Sequence, residues 1–237
     1  SHYAIRARPV SYNDHNAAER RPRLLAALAE GRSVALASDA GTPLVSDPGY
    51  RLVREAIAAG HAVRAVPGAA APLAALAVSG LPTDAFLFAG FLPPKAAARR
   101  ARLAELAAVP ATLCLFEARQ RLLAALTDMA AVLGADRPCA VTRELTKLHE
   151  EAVRGPLGEV AEVFRARGEI RGEIAIVVGP PGPPAPPAAE EIDRRLAAAL
   201  STKSTGAAAA EVAAALGIPR REAYRRALAL KDGGEPG

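Results

Sequence analysis

Ser33–Tyr50, SVALASDAGTPLVSDPGY, joins a short apolar run to a loop, Ser38–Tyr50, that packs two Asp, two Gly and two Pro into thirteen residues. The run VALA has strand length and composition, and RLVREAIAAG after the loop has helical spacing closed by Gly60, so the stretch reads as strand, loop, helix. Asp47 is placed to cap that helix, with Pro48 in its first turn. Such a density of turn formers exceeds what a plain connection requires. In an open parallel sheet a loop after a strand lies at the carboxyl edge, where α/β folds bind ligands. Gly41 would let a ligand approach the backbone, and the amides of a tight turn can hold polar groups. A capped turn leading into the helix explains the same residues, and spacing alone leaves both readings open.

The pattern repeats along the chain. Apolar runs at Ser33–Ser38, Ala62–Pro67, Ala85–Gly90, Ala111–Glu117, Pro138–Glu144 and Glu173–Gly179 alternate with amphipathic segments of helical length. This predicts an α/β fold with a largely parallel sheet. A helix is expected from about Arg119 to Gly134. The break at SGLPTD (Ser79–Asp84) divides residues 1–82, an N-terminal α/β lobe, from residues 83–179, a second α/β lobe. The proline-rich GPPGPPAPPAAE predicts a semi-rigid linker over 180–189. Residues 190–237 read as a helical appendage of helix-turn-helix type, with helix starts at Ser201 and Pro219, a stop at Gly217, and a disordered tail, KDGGEPG.

Composition narrows the class. The 237 residues are 51% hydrophobic with no apolar run near the twenty or so that cross a bilayer, and SHYAIRARPVSYNDHN lacks the pattern of a secretory signal. A cytoplasmic protein with no membrane association is expected. Cys114 and Cys139 lie inside apolar runs, as reduced thiols that pack like small hydrophobes. A net charge of +5 is compatible with a polyanionic partner without requiring one. In YNDHN (Tyr12–Asn16), Asn16 is expected to cap the helix that follows, with His15 structural. No dinucleotide-binding G-x-G-x-x-G, P-loop, paired-His metal motif or nucleophile elbow is present, so the residues themselves point only as far as a small polar ligand.

VALASDAGTPLVSDPGYRLV, VPGAAAPLAALAVSGLPTDAFLFAGFLPPK, TLCLFEARQRL and TRELTKLHEE, in that order, together resemble the ribosomal RNA small subunit methyltransferase I family, the RNA-modifying branch of the tetrapyrrole methylase superfamily. The resemblance covers roughly Tyr12 to Gly179, and LSTKS…GIPRREAYRRAL resembles that family's helical appendage. It implies two α/β lobes of the tetrapyrrole methylase type with S-adenosylmethionine in the cleft between them, a homodimer, no metal, and 2′-O-methylation of a cytidine ribose in small-subunit ribosomal RNA. Family members begin with a further strand, a TPIGNL-type loop and an EDTR segment. The sequence starts after these, so an incomplete first lobe is expected.

The resemblance also implies site residues. The turn DAGTPLV brings Asp39, Ala40, Gly41, Thr42 and Val45 to the cofactor. PGAAA brings Gly68, Ala70 and Ala71; where relatives often carry a polar residue, Ala70 leaves backbone contacts. Strand ends of the second lobe add Phe116, Glu117, Arg143 and Glu144, with Glu144 a candidate base. Lys95 in GFLPPK is a candidate for holding the RNA or favouring an ionised hydroxyl, or else a solvated helix start. Arg99, Arg100 and Arg102 follow at helical spacing and could track phosphates, as could Arg143 and, in the appendage, Arg220, Arg221, Arg225 and Arg226. Arg143, Glu144 and Lys147 equally suit a local ion pair. A small-molecule, tetrapyrrole-like methylase and an inactive RNA- or ribosome-binding remnant are the alternative functions.

Overall fold

The computed structural model describes residues 9–182 and 187–231; residues 183–186 of the expected linker and 232–237 of the expected tail lie outside them. The chain divides into two compact units, Ser1–Gly182 and Pro183–Gly237.

The first unit is built on one five-stranded sheet. Its strands are β1 (Phe86–Phe91), β2 (Thr112–Glu117), β3 (Pro138–Arg143), β4 (Glu151–Pro156) and β5 (Ile174–Val178). They lie in the order β1-β2-β5-β3-β4. Only β1 and β2 pair in parallel; the other three ladders are antiparallel. The expected largely parallel sheet is therefore corrected. Helical crossovers α4 (Ala96–Ala107) and α5 (Leu122–Leu133) do turn β1, β2 and β3 the same way. However, β5 inserts antiparallel between β2 and β3, and the short loop 144–150 can only return β4 beside β3 as a hairpin. Apolar runs show where strands are, not which way they point.

Two expected strands are absent from any ladder. Residues 33–38 and 62–67 run without strand partners and are largely exposed, so the β propensity of VALA and AVRAV is not converted into a sheet among the described residues. They connect α1 (Ala17–Ala29), α2 (Tyr50–Ala58) and α3 (Ala71–Ser79). Arg21 ties α1 to Glu55 of α2 at 2.9 Å. Asn16 takes the N-cap position of α1 without a side-chain cap bond; its carboxamide oxygen instead accepts from the Asn13 amide at 2.8 Å.

Strand residues alternate between two layers, as a pleat requires. Leu113, Leu115, Val141, Ile176 and Val178 face the core formed with α4, α5 and α6 (Leu157–Ala166). That core receives the i, i+3, i+4, i+7 face of α5, Leu122, Ala125, Leu126 and Met129, all fully buried. The other face presents Cys114, Ala140, Ala175 and Val177, small enough for α3 to sit close through Ala75 and Leu76. Burial pushes the Cys114 thiol up to about 11 and Cys139 up to about 12, which keeps both protonated.

The second unit packs α7 (Ala189–Leu200), α8 (Thr205–Leu216) and α9 (Arg220–Lys231) around Ile192, Leu196, Val212 and Ala227. Ser201 closes α7 rather than opening a helix; Ser204 caps α8 by accepting from the Ala207 amide. Gly217, at φ 65°, ends α8, and Ala209, Ala213 and Ala223 let α9 approach it closely.

Candidate active site

The ladder register aligns Phe91 with Phe116, Phe116 with Ala175, and Ala175 with Thr142. This row lies at the ends of β1, β2 and β3 and the start of β5, the carboxyl edge of the three co-directional strands. A cavity of about 1080 Å³ opens there, lined also by residues of the loop 38–48. Its size suits a nucleoside-sized ligand.

The opening loop is held by its own polar side chains. The Ser38 hydroxyl donates to the Asp47 carboxylate and accepts from the Ala40 amide at 3.3 Å. Asp47 is thus a loop clasp, and Gly49 takes the N-cap position of α2 expected for it. Thr42 Oγ1 donates to the Ala69 carbonyl at 3.0 Å, joining this loop to the PGAAA turn. Gly41 has φ 74°, and a Cβ there would stand 3.8 Å from that same carbonyl. Leu44 and Ser46 also adopt positive φ, 71° and 59°, a strained conformation for residues with side chains.

Of the residues expected at the cofactor, Asp39, Ala40, Gly41, Val45, Ala71, Phe116 and Glu117 border the cavity. Thr42, Gly68 and Ala70 do not; Thr42 acts through its bond to Ala69, and Ala70 takes the N-cap position of α3. Glu117 is buried and paired with Arg121 at 2.7 Å, so it enters the floor already neutralised. Sequence reasoning missed Thr142, Arg119 and the segment Gly172–Ala175, which also border the cavity. TRELTK contains the first, but nothing in GEIRGE signals that Gly172 lies under Glu144. A Cβ on Gly172, at φ 97°, would clash with the Glu144 side chain at Cγ.

The candidate base is occupied. Glu144 Oε1 accepts from the Glu173 amide at 2.8 Å and from Lys147 Nζ at 3.1 Å. The Glu173 amide first, then Lys147, hold its carboxyl below the usual carboxylate range, and Glu173 and Glu144 raise the Lys147 ammonium in turn. A carboxylate so stabilised is a weak proton acceptor, and the arrangement is the local ion pair that the sequence also allowed. Arg143 is likewise committed, to Glu151 at 3.2 Å.

Two of the expected phosphate contacts are held by acids of the chain. Arg99 is buried and grips Asp128 at 2.6 Å, and its NH1 donates to the Pro94 carbonyl at 3.0 Å. Arg226 forks onto Asp193 with both contacts at 2.8 Å, fastening α9 to α7. Arg100 shares Asp128 and Arg102 pairs with Glu105. Lys95 is exposed at the N-cap position of α4 and does not border the cavity. Arg220, Arg221 and Arg225 are exposed and have no ion pair among the described residues.

Residues 1–161 match the family model of the tetrapyrrole (corrin/porphyrin) methylases, and residues 186–231 match that of the RsmI C-terminal HTH domain. The chain is 51% identical over 230 residues to ribosomal RNA small subunit methyltransferase I of Mesorhizobium japonicum, covering 97% of this chain and 78% of that protein. It is 52% identical over 198 residues to the protein of the same name from Micromonospora olivasterospora, covering 83% of this chain and 61% of that one. Among solved structures, the methyltransferase CobJ is similar at a TM-score of 0.52 and 22% identity, over 68% of this chain and 70% of that one, a likeness of fold.

Proposed function

The chain belongs to the ribosomal RNA small subunit methyltransferase I family, within the tetrapyrrole methylases, and from that premise we propose that it methylates the 2′-oxygen of a cytidine ribose in small-subunit ribosomal RNA, using S-adenosylmethionine. The observation that carries the proposal is the convergence of the family's loops on one cavity, which is lined from SDAGTPLV, from Ala71 at the end of PGAAA, from FEAR and from the TRELTK strand end.

The residues present fit the cofactor. Gly41 leaves its backbone open to a ligand, Phe91 and Phe116 offer apolar ring surface, and Asp39 puts acid near a cationic ligand. When bound, S-adenosylmethionine supplies a methyl group on a sulfonium, which already carries a good leaving group. The chain's task is therefore alignment and exclusion of water. The loop 38–48 lines the cavity, and so does the Phe91–Phe116–Ala175–Thr142 row. Lys95, at the turn after β1 and with no ion pair among the described residues, is proposed to hold the RNA or favour an ionised ribose hydroxyl. Arg220, Arg221 and Arg225 are proposed to contact RNA phosphates.

The proposal extends to a homodimer acting in the cytoplasm, and to a working division of the first unit into lobes at about Pro82. No helix among the described residues is long and apolar enough to cross a membrane. The test is transfer of labelled methyl from S-adenosylmethionine to isolated small ribosomal subunits. Counts in the ribosomal RNA support the proposal; counts on a tetrapyrrole with RNA unlabelled refute it.

A further inference from the structure

The charged groups around the cavity are unevenly shared. Among the described lining residues, Asp39 and Asp47 are acids without an ion pair, Glu117 and Glu173 are acids held by Arg121 and Lys147, and Arg119 is the one cation. The other rim cations are already paired: Lys147 holds Glu144 and Glu173, Arg143 holds Glu151, Arg171 holds Glu169, and Arg121 holds Glu117. Arg119 makes no ion pair or hydrogen bond among the described residues; it acts on Glu169 only across space, and Glu169 is satisfied by Arg171 at 2.8 Å. It is exposed in the turn between β2 and α5, one residue beyond the Phe116–Ala118 floor.

The two acids without an ion pair favour a cationic cofactor and repel the RNA that must reach it. A ribose cannot enter without its flanking phosphates, so the approach needs at least one uncommitted cation at the mouth. A guanidinium suits that task because its planar fork matches a phosphate's oxygens in pairs. We propose that Arg119 grips the phosphodiester beside the target ribose and sets how the nucleotide enters the cavity. This assignment rests on the methyltransferase reading above and adds to it the residue that positions the acceptor. The same fork could instead meet the cofactor's carboxylate, which is the competing source of the same oxyanion chemistry.

The experiment measures two affinities in the full chain and in Arg119→Ala and Arg119→Lys. One is for S-adenosylmethionine by calorimetry, which also reports intact folding. The other is for small ribosomal subunits across a series of salt concentrations. For Arg119→Ala the expected result is cofactor affinity within about twofold of wild type, subunit affinity about tenfold weaker, and a salt slope lower by about one. Arg119→Lys should restore the slope but only part of the affinity, since charge returns without the fork. A loss confined to the cofactor assigns Arg119 to its carboxylate and overturns the proposal. Unchanged values in both arms overturn it as well. Wild-type protein that binds no subunits refutes the functional reading itself, and the Arg119 assignment with it; wild-type binding that Arg119→Ala leaves untouched refutes the assignment alone.

Discussion

Asp128→Asn should cost the first unit much of its stability. The Asp128 carboxylate is buried and receives Arg99 Nε at 2.7 Å, Arg99 NH2 at 2.6 Å and Arg100 Nε at 2.6 Å. Replacing it with a neutral amide strands the Arg99 guanidinium, 5% exposed, with the Pro94 carbonyl as its one remaining acceptor at 3.0 Å. Removing one partner of a buried pair costs about 3–5 kcal/mol, a large part of the about 5–15 kcal/mol that holds a typical domain. Arg100→Ala is the contrast: its side chain is 61% exposed, so its loss should cost about 1 kcal/mol or less. Urea unfolding, followed by hydrogen exchange on peptides from β2 and α5, reads this unit alone. Burial pushes the Asp128 carboxyl up, but the hydrogen bonds from Arg100 and Arg99 outweigh it and leave it below its ordinary value. Its contribution is therefore present above an unfolded value of about 3.9 and fades as pH falls through the lower folded value. Asp128→Asn should lose that part of the acid sensitivity. A stability loss under about 1 kcal/mol, or an unchanged acid profile, would refute the pairing argument and return Arg99 to the surface.

Gly41→Val should weaken S-adenosylmethionine binding by at least about tenfold in calorimetry, because a β-branched residue at φ 74° strains the loop and presses toward the Ala69 carbonyl that Thr42 holds; unaltered affinity would remove the loop from the site. Lys95→Ala should spare cofactor affinity yet slow methyl transfer by about 10² to 10⁴, with little rescue by Lys95→Arg; near wild-type transfer would make Lys95 a solvated helix start. Neutralising Arg220, Arg221 and Arg225 together should lower the salt slope of subunit binding by about three, whereas Arg226→Ala should chiefly loosen the second unit by freeing Asp193. Equal salt slopes for the triple variant and wild type would make α9 a structural helix.

Local chemistry was readable where one segment carries its own signal. The cores of β2, β3 and β5 are consecutive apolar runs, α5 stops at Gly134 as expected, and the loop after VALA does border the cavity. What escaped depends on partners distant in the chain. EAVRGP has no apolar run, since β4 is an edge strand supported on one side by β3. Arg99 looked solvent-facing among other Arg because its acid lies 29 residues away in α5. The same holds for Glu144, whose partner amide, Glu173, lies 29 residues on, just before β5, and for Arg119, whose isolation is visible only once the other rim cations are seen to be paired. Asp47 reads as a cap ahead of a helix with Pro48 in its first turn; its actual partner, Ser38, closes the loop from the other end.

The most direct measurement is alkaline hydrolysis of small-subunit ribosomal RNA treated with the protein and labelled S-adenosylmethionine. Alkaline cleavage needs a free 2′-hydroxyl, so the account predicts one labelled cytidine whose 3′ bond resists cleavage, absent without the protein. Label recovered on a base, with every position still cleaved, would contradict it.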